Sequence, residues 1–495
     1  MLKQIGIFAA LVISLLSVHS HGQKTHGYTP LQRIGSERFP VADPVLLKLR
    51  DDENVDAMRM HAWNLFAGLT ATNGVNDEGP IWNTWFTKCD LHLKSCKPLP
   101  QYPNNRHRML QALDLPLQNF SSLFSIKTES SPPGAIAEIK KNIPLNDAID
   151  SLLKLVESTP NLAHVLYNAP AAESILKYHL FSAVGLDDLL TRRRDFHSPE
   201  RESEIPPFSN DSIALKLDWY VVFVNPDNPK ITYPFQLSDR GTNGKGIVTA
   251  DLVTLNLSRT TCEDRDYVAS QNDHTAEVPL GCVYAVKVLP NLQDWKLINI
   301  QNPGTTAPVY LVLRAVHAAT KETGDWVWST FWWSNQPSRS PYACTVICKK
   351  VLLGNKWRHF LMDTTLSEKT PLEIDNGRKI CFNPFLELQA PDSNCMQCHR
   401  RATYFPENPA SKFNCGSQIG TADRCSETGN GPLPSCNTTR PACMDGYFKA
   451  TLQTDFLWTL VEAQTEQDKT SGAIMQMVRE HFAIFLQQNY LHAFH

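Results

Sequence analysis

The chain has 495 residues, with 47 Lys and Arg against 50 Asp and Glu and 42% hydrophobic residues. A formal charge of −3 excludes a general polyanion binder and leaves overall charge silent about nucleic-acid or membrane partners. With 9% aromatic and 20% charged residues, the chain is too apolar and aromatic to be disordered, and its length predicts about two to four domains.

The chain opens Met1-Leu2-Lys3-Gln4, followed by an apolar run from Ile5 to Val18 and the small-residue stretch Ser20-His21-Gly22. A basic start, an apolar centre of about 7–15 residues and a small-residue exit predict a secretory signal peptide over 1–22. A buried N-terminal helix is the competing reading. The run is too short to span a bilayer, which takes about 20 residues. Thirteen cysteines suit an oxidising compartment. The mature chain is therefore expected to be periplasmic or secreted, with no transmembrane segment once the signal is removed.

Residues 23–207 read as a mainly helical region with proline-rich interruptions. Val55, Met58, Ala62, Leu65 and Leu69 recur at helical spacing, as do Leu145, Ile149, Leu152 and Val156. A charge-dense stretch from Arg192 to Glu204 ends at Pro206-Pro207 and predicts a boundary. From 208 to 350 the period becomes two. Leu215, Leu217, Trp219, Val221 and Phe223 alternate, and so do Val309, Leu311, Leu313 and Ala315. Thr323-Gly324-Asp325 offers a turn before an aromatic strand from Trp326 to Trp333, so this region predicts an antiparallel β-rich domain. The aromatic run has two readings, a ligand-stacking face or core, and core is preferred because grouped Trp is mostly buried. From 351 to 495 the chain is first loop-rich and cysteine-rich, then helical around Phe456–Gln464 and Ile474–Phe485.

Residues 394–401 read Asn394-Cys395-Met396-Gln397-Cys398-His399-Arg400-Arg401. C-x-x-C-H is the attachment signature of a c-type haem. Two thiols at this spacing on a helical turn can form thioethers to the two haem vinyl groups, and the histidine that follows can bind the iron. This composition yields the pattern by shuffling roughly once per hundred sequences. The same residues also admit a structural zinc site completed by Cys344 and Cys348, a redox dithiol, or plain disulfide partners. Among the other cysteines, Cys89–Cys96, Cys262–Cys282 and Cys344–Cys348 are the local pairs expected to form disulfides, though spacing alone cannot fix connectivity.

The motif and its helical surroundings resemble the mono-haem cytochrome c family. Two further stretches, His317 to Trp333 and Thr454 to Trp458, are similar to long bacterial exported proteins with one haem motif near the C-terminus. The resemblance implies one covalent haem c, with Cys395, Cys398 and His399 as its binding residues and His399 as an iron ligand. It also implies a Met or His after the motif as sixth ligand. Met444, in the loop Pro441 to Tyr447, is the chosen candidate, since Met475 and Met477 fall in a helical pattern. Arg400 is a candidate partner for a haem propionate, or else a solvated helix residue. His317 extends an alternating face; it is either a hydrogen-bonded strand histidine or a distal group over the haem.

The expected architecture is thus an α+β multidomain chain. A helical N-terminal region and an antiparallel β-rich middle domain precede a small, mainly α, cytochrome c-like module at 351–495. The expected role is single-electron transfer in the periplasm with a redox partner protein. A peroxidase-like haem oxidoreductase and a secreted haem sensor or ligand-binding protein are the alternatives. Residues 23–350 carry no motif that names a substrate.

Overall fold

The computed structural model describes residues 28–72, 79–93, 162–196, 203–223, 229–237, 250–263, 277–288, 309–335, 337, 342–344, 355–366, 383, 395–399, 402–404, 452–457 and 459–460. The expected signal peptide, the pattern at Leu145–Val156, the last helical pattern, Arg400 and Met444 lie outside these residues.

In chain order the strands are β1 (Arg33–Ile34), β2 (Glu37–Arg38), β3 (Phe86–Thr87), β4 (Leu162–Tyr167), β5 (Ser203–Glu204), β6 (Ile213–Phe223), β7 (Lys230–Leu237), β8 (Ala250–Asn256), β9 (Glu277–Pro279), β10 (Ala285–Val288), β11 (Val309–Thr320), β12 (Val327–Trp333), β13 (Phe360–Thr365), β14 (Thr403–Tyr404) and β15 (Leu452–Gln453). The α-helices are α1 (Asp43–Asp51), α2 (Val55–Thr70), α3 (Ala169–Lys177), α4 (Ala183–Phe196) and α5 (Cys395–His399).

The centre is a seven-stranded sheet in the order β13-β12-β11-β6-β4-β3, with β10 pairing β11 beyond the end of β12. Its pairings are antiparallel. Long strand β11 takes β6 along one edge and shares its other edge between β10 and β12. The register shifts between Leu313 and Ala315, where Arg314 is the extra residue of a bulge. Arg314 is fully buried, and its Nε donates to Asp218 Oδ2 at 2.6 Å. Burial raises the Asp218 carboxyl from its usual range, and the Arg314 guanidinium opposes that shift.

Both faces of this sheet are covered. Leu215, Leu217, Val316, Ala318, Phe331 and Met362 point to the first face and join the core built with α2. Helix α2 begins where Asn54 Oδ1 accepts from Ala57 N at 3.1 Å, and it buries Ala62, Leu65, Phe66 and Leu69 at helical spacing. Phe66 stacks on Phe331 with ring centroids 4.2 Å apart. On the second face Tyr167, Ala214, Ala319 and Trp328 join α3, α4 and the described C-terminal residues in a separate core.

These observations correct the expected fold class. The N-terminal region is not a helical body, because its residues supply β3 and β4 to the central sheet. The short apolar run at β4 is covered on both sides, so it lacks the alternation that would have marked a strand. Nor do the described C-terminal residues form a mainly α module. They consist chiefly of strand β13, which joins the central sheet, the five-residue helix α5, and the short strands β14 and β15, which complete a small sheet with β5; α5, β14 and β15 pack on the second face. The motif specifies little more than one helical turn and carries no information about what packs around it. In the middle, β6, β11 and β12 coincide with the alternating and aromatic runs. The aromatic side chains Trp326, Trp328, Phe331, Trp332 and Trp333 are all buried.

A buried carboxylate ties the N-terminal helices to the sheet. Glu322 is fully buried; it accepts from Val41 N at 2.8 Å and Thr320 Oγ1 at 2.7 Å, and lies 3.1 Å from His61 Nε2. Removing it strands these buried partners. Glu322→Ala is expected to lower the unfolding free energy in urea by about 2–5 kcal/mol, and Glu322→Gln by less, since an amide oxygen still accepts. An unchanged midpoint for the alanine variant would contradict this role.

Candidate functional site

Helix α5 carries the C-x-x-C-H residues against the second face of the sheet. Positions 395, 398 and 399 are related by steps of three and four, which places them on one side of a helix. Cys395 is buried and keeps its thiol, and Met396 is fully buried beside it in the second core. The side chain of Cys398 lies outside the described residues.

His399 is the best-positioned member of the motif. Its ring packs against Trp328 of β12, with centroids 4.1 Å apart and planes tilted by 35°. Its Nδ1 lies 2.8 Å from the carbonyl oxygen of Phe456. That carbonyl can only accept, so Nδ1 is the donor and Nε2 is left with its lone pair. Burial pushes the imidazole down to about 4; the bond to Phe456 opposes this, and the charge of Lys216 adds to it. The ring is therefore neutral at ordinary pH, the form that binds a metal.

A left-handed turn aims the Phe456 carbonyl. Asp455 and Phe456 have φ of 46° and 70°. Asp tolerates this region, but for Phe it is strained. Surrounding bonds hold it. Thr454 N and Oγ1 donate to Ala402 O at 2.9 and 3.0 Å, and Ala402 N donates to His399 O at 3.0 Å. Strands β14 and β15 pair Tyr404 with Leu452 and Thr403 with Gln453. Asp455 Oδ1 accepts from Lys321 Nζ at 2.7 Å and Trp326 Nε1 at 3.1 Å, and Oδ2 accepts from Phe208 N at 3.4 Å. Lys321 also donates to Gly324 O at 2.6 Å. The β11–β12 turn, foreseen at Thr323-Gly324-Asp325, thus grips the turn that orients His399.

The sheet face beneath His399 has an unusual row. Lys216, His317, Thr330 and Asp363 are register partners across β6, β11, β12 and β13. The next row toward α5 is Ala214, Ala319, Trp328 and Thr365. Paired residues share a face, so His317 lies on the face that carries Trp328, against which His399 packs. His317 is half-buried and Lys216 is exposed. Burial holds His317 well below the usual histidine range, and the nearby charges of Lys216 and His399 lower it further. The two imidazoles are within electrostatic reach of each other.

Sequence reasoning singled out Cys395, His399 and His317, and the structure brings the two histidines to one face. It missed Lys216, Asp455 and the Phe456 carbonyl. A backbone acceptor in a strained turn leaves no residue-type signature; Trp328 was visible only as part of an aromatic run.

A second grouping holds Cys262, Cys282 and His359, whose donor atoms lie within 4.8 Å of one another. Cys262 and Cys282 form a disulfide, as the sequence spacing suggested, so two of the three donors are consumed. Cys89 and Cys344 are also disulfide-bonded; their expected partners Cys96 and Cys348 lie outside the described residues. The bond at Cys344 removes the thiolate that a zinc site with the motif cysteines would need. Among the described residues no helix is long and apolar enough to cross a membrane. No family model, curated protein or solved structure matches the chain.

The Asp455 bridge has a direct test. Asp455→Ala leaves the Lys321 ammonium, which is only 6% exposed, without its carboxylate. The expected loss is about 3–5 kcal/mol of unfolding free energy. In chain prepared without cofactor, the His399 Nδ1 proton should exchange slowly enough for detection by nitrogen-edited NMR, and Asp455→Ala should abolish that signal. A persistent signal would show that the turn holds without Asp455.

Proposed function

We propose that the chain carries one haem c, which Cys395 and Cys398 would attach and His399 would hold through its iron, and that it transfers single electrons outside the cytoplasm. The observation that carries this reading is the hydrogen bond from His399 Nδ1 to Phe456 O. It fixes the tautomer whose Nε2 can bind iron, and His399 belongs to the same helix as Cys395 and Cys398.

The residues present fit the group. A buried cysteine thiol and a neutral, oriented imidazole share one helix, and Trp328 with the second core gives that helix an apolar backing. When bound, haem supplies one-electron chemistry at iron. The chain does the rest. Phe456 holds the Nδ1 proton and so raises the basicity of the ligating nitrogen. Trp328 covers one face of the imidazole and shields it from water. Asp455, Lys321 and Trp326 hold the turn so that this geometry is set before the cofactor arrives.

Export is part of the same proposal. The signal-like N-terminus supports it, and the disulfides at Cys262–Cys282, Cys89 and Cys344 suit an oxidising compartment. A redox partner protein follows from the role, because a carrier must receive and pass on its electron.

The test is a pyridine haemochrome spectrum and a haem-stained denaturing gel of protein made in a host that attaches c-type haem. Wild type should carry pigment that survives denaturation. Cys398→Ser should lose most of it. Equal covalent pigment in that variant would refute attachment through the motif.

A further inference from the structure

We propose that Cys262, Cys282 and His359 form a redox-gated zinc site: the Cys262–Cys282 disulfide excludes the metal, and its reduction by a dithiol creates a set of two thiolates and one imidazole. The proposal stands apart from the haem reading. Cys282 and Trp333 belong to the core on the first face of the sheet, and His359 directly precedes β13, whereas α5 packs on the second face.

The donor atoms are already together. The two sulfurs and an imidazole nitrogen of His359 all lie within 4.8 Å of one another, and His359 Nε2 is 3.9 Å from Cys262 Sγ. Zinc holds sulfur at about 2.3 Å and imidazole nitrogen at about 2.0–2.1 Å, so two ligands of one tetrahedral ion stand about 3.5–4 Å apart. The nitrogen is therefore at its working distance from Cys262. Only the two sulfurs must part once the bond between them is cut. Cys262 lies in irregular chain after β8 and is half-buried, which lets it move; Cys282 closes a short 3-10 turn, Leu280–Cys282, and is fully buried.

The imidazole is held for the task. Its Nδ1 lies 3.3 Å from Ser334 O; a carbonyl only accepts, so Nδ1 donates and the lone pair of the neutral ring is on Nε2, which faces Cys262. Ser334 N donates in turn to His359 O at 2.8 Å. The ring stacks on Trp333, with centroids 5.5 Å apart and planes 12° from parallel, and Trp333 Nε1 donates to Cys282 O at 3.1 Å. One tryptophan thus ties the ring of the nitrogen donor to the backbone of a sulfur donor. A disulfide needs no oriented nitrogen beside it. A metal-binding histidine does need a carbonyl behind its other nitrogen.

Charge and donor type select the ion. Two thiolates and a neutral imidazole around a divalent cation sum to zero, so a site with fully buried His359 and Cys282 carries no net charge. Sulfur and imidazole donors suit zinc and reject magnesium or calcium, which take oxygen. Opening the site begins at the accessible sulfur. A thiolate of the external dithiol attacks Cys262 Sγ, the bond to Cys282 breaks, and Cys282 leaves as a thiolate. The second thiol of the reductant then displaces Cys262; the reductant becomes a disulfide and two electrons pass to the chain. Zinc sends the protons held by the two thiols to solvent.

The experiment uses the full chain, reduced with a dithiol and freed of it without air, and zinc ion alone as the probe. Alkylation of each cysteine is followed by mass spectrometry with and without zinc. Zinc should slow alkylation of both Cys262 and Cys282 by at least about tenfold, because a bound thiolate is a poor nucleophile. His359→Ala should raise the zinc concentration needed for that protection by at least about a hundredfold, more than the 10–100-fold cost of losing an outer partner. In a Cys395→Ser/Cys398→Ser chain, which lacks the motif thiols, added cobalt ion should give the visible bands of a tetrahedral thiolate site after reduction and none before it.

Equal alkylation of Cys262 and Cys282 with and without zinc in the reduced wild-type chain overturns the proposal, and this arm needs no variant to fold. A chain that unfolds on reduction exposes both thiols to the reagent and counts in the same way. Protection that persists unchanged in His359→Ala removes the imidazole from the donor set and also overturns it. Cobalt bands of equal strength before reduction would show that the disulfide gates nothing. The haemochrome result is read separately, so failure of this site and failure of the haem reading are distinct.

Discussion

The bond between the His399 imidazole and the Phe456 carbonyl is the constraint on which the site depends. It joins two segments that lie 57 residues apart in sequence. A histidine at the end of a short helix would otherwise rotate freely and exchange its proton between two nitrogens. Tied at Nδ1 and packed on Trp328, it presents one nitrogen in one direction. The carbonyl is itself held by a left-handed turn that a phenylalanine adopts only under restraint. The restraint comes from Asp455, whose carboxylate binds Lys321 and Trp326 at the β11–β12 turn. Orientation of the imidazole is thus set by the central sheet, through a buried ion pair.

This explains why a large sheet stands behind a five-residue motif. The strands are buried on both faces, one against α2 and the other against α3, α4, α5 and the small β5–β14–β15 sheet. Such a platform is stiff. It can place Trp328, His317 and the Lys321 clamp in fixed relation because all of them lie on β11, β12 or the turn that joins them. The row Lys216, His317, Thr330 and Asp363 crosses four adjacent strands on the face that carries Trp328, against which His399 packs. Trp328, Lys321 and Trp326, from a stretch that carried no recognisable motif, hold and back the His399 imidazole.

The sequence made the candidate residues more legible than the architecture around them. C-x-x-C-H is a local pattern, so Cys395 and His399 were visible without any fold. The alternation in β6 and β11 and the turn at Thr323-Gly324-Asp325 were visible for the same reason. The entry of β3 and β4 into the central sheet was not, because a two-residue strand has no period and a strand covered on both faces loses its alternation. The expected mainly α module failed because one turn of helix was extended by analogy to its surroundings. Asp455 and Phe456 stayed hidden because their work is done by a carboxylate and a carbonyl brought in from elsewhere in the sequence. Contacts of that range are properties of the fold and leave no spacing to read.

The most direct measurement is the intact mass of the purified, matured chain after full denaturation, taken with its iron content. The account predicts a single adduct of one haem per chain, with one iron in the native protein. A bare polypeptide mass with no iron would contradict it, leaving the oriented imidazole of His399 without the metal it is proposed to serve.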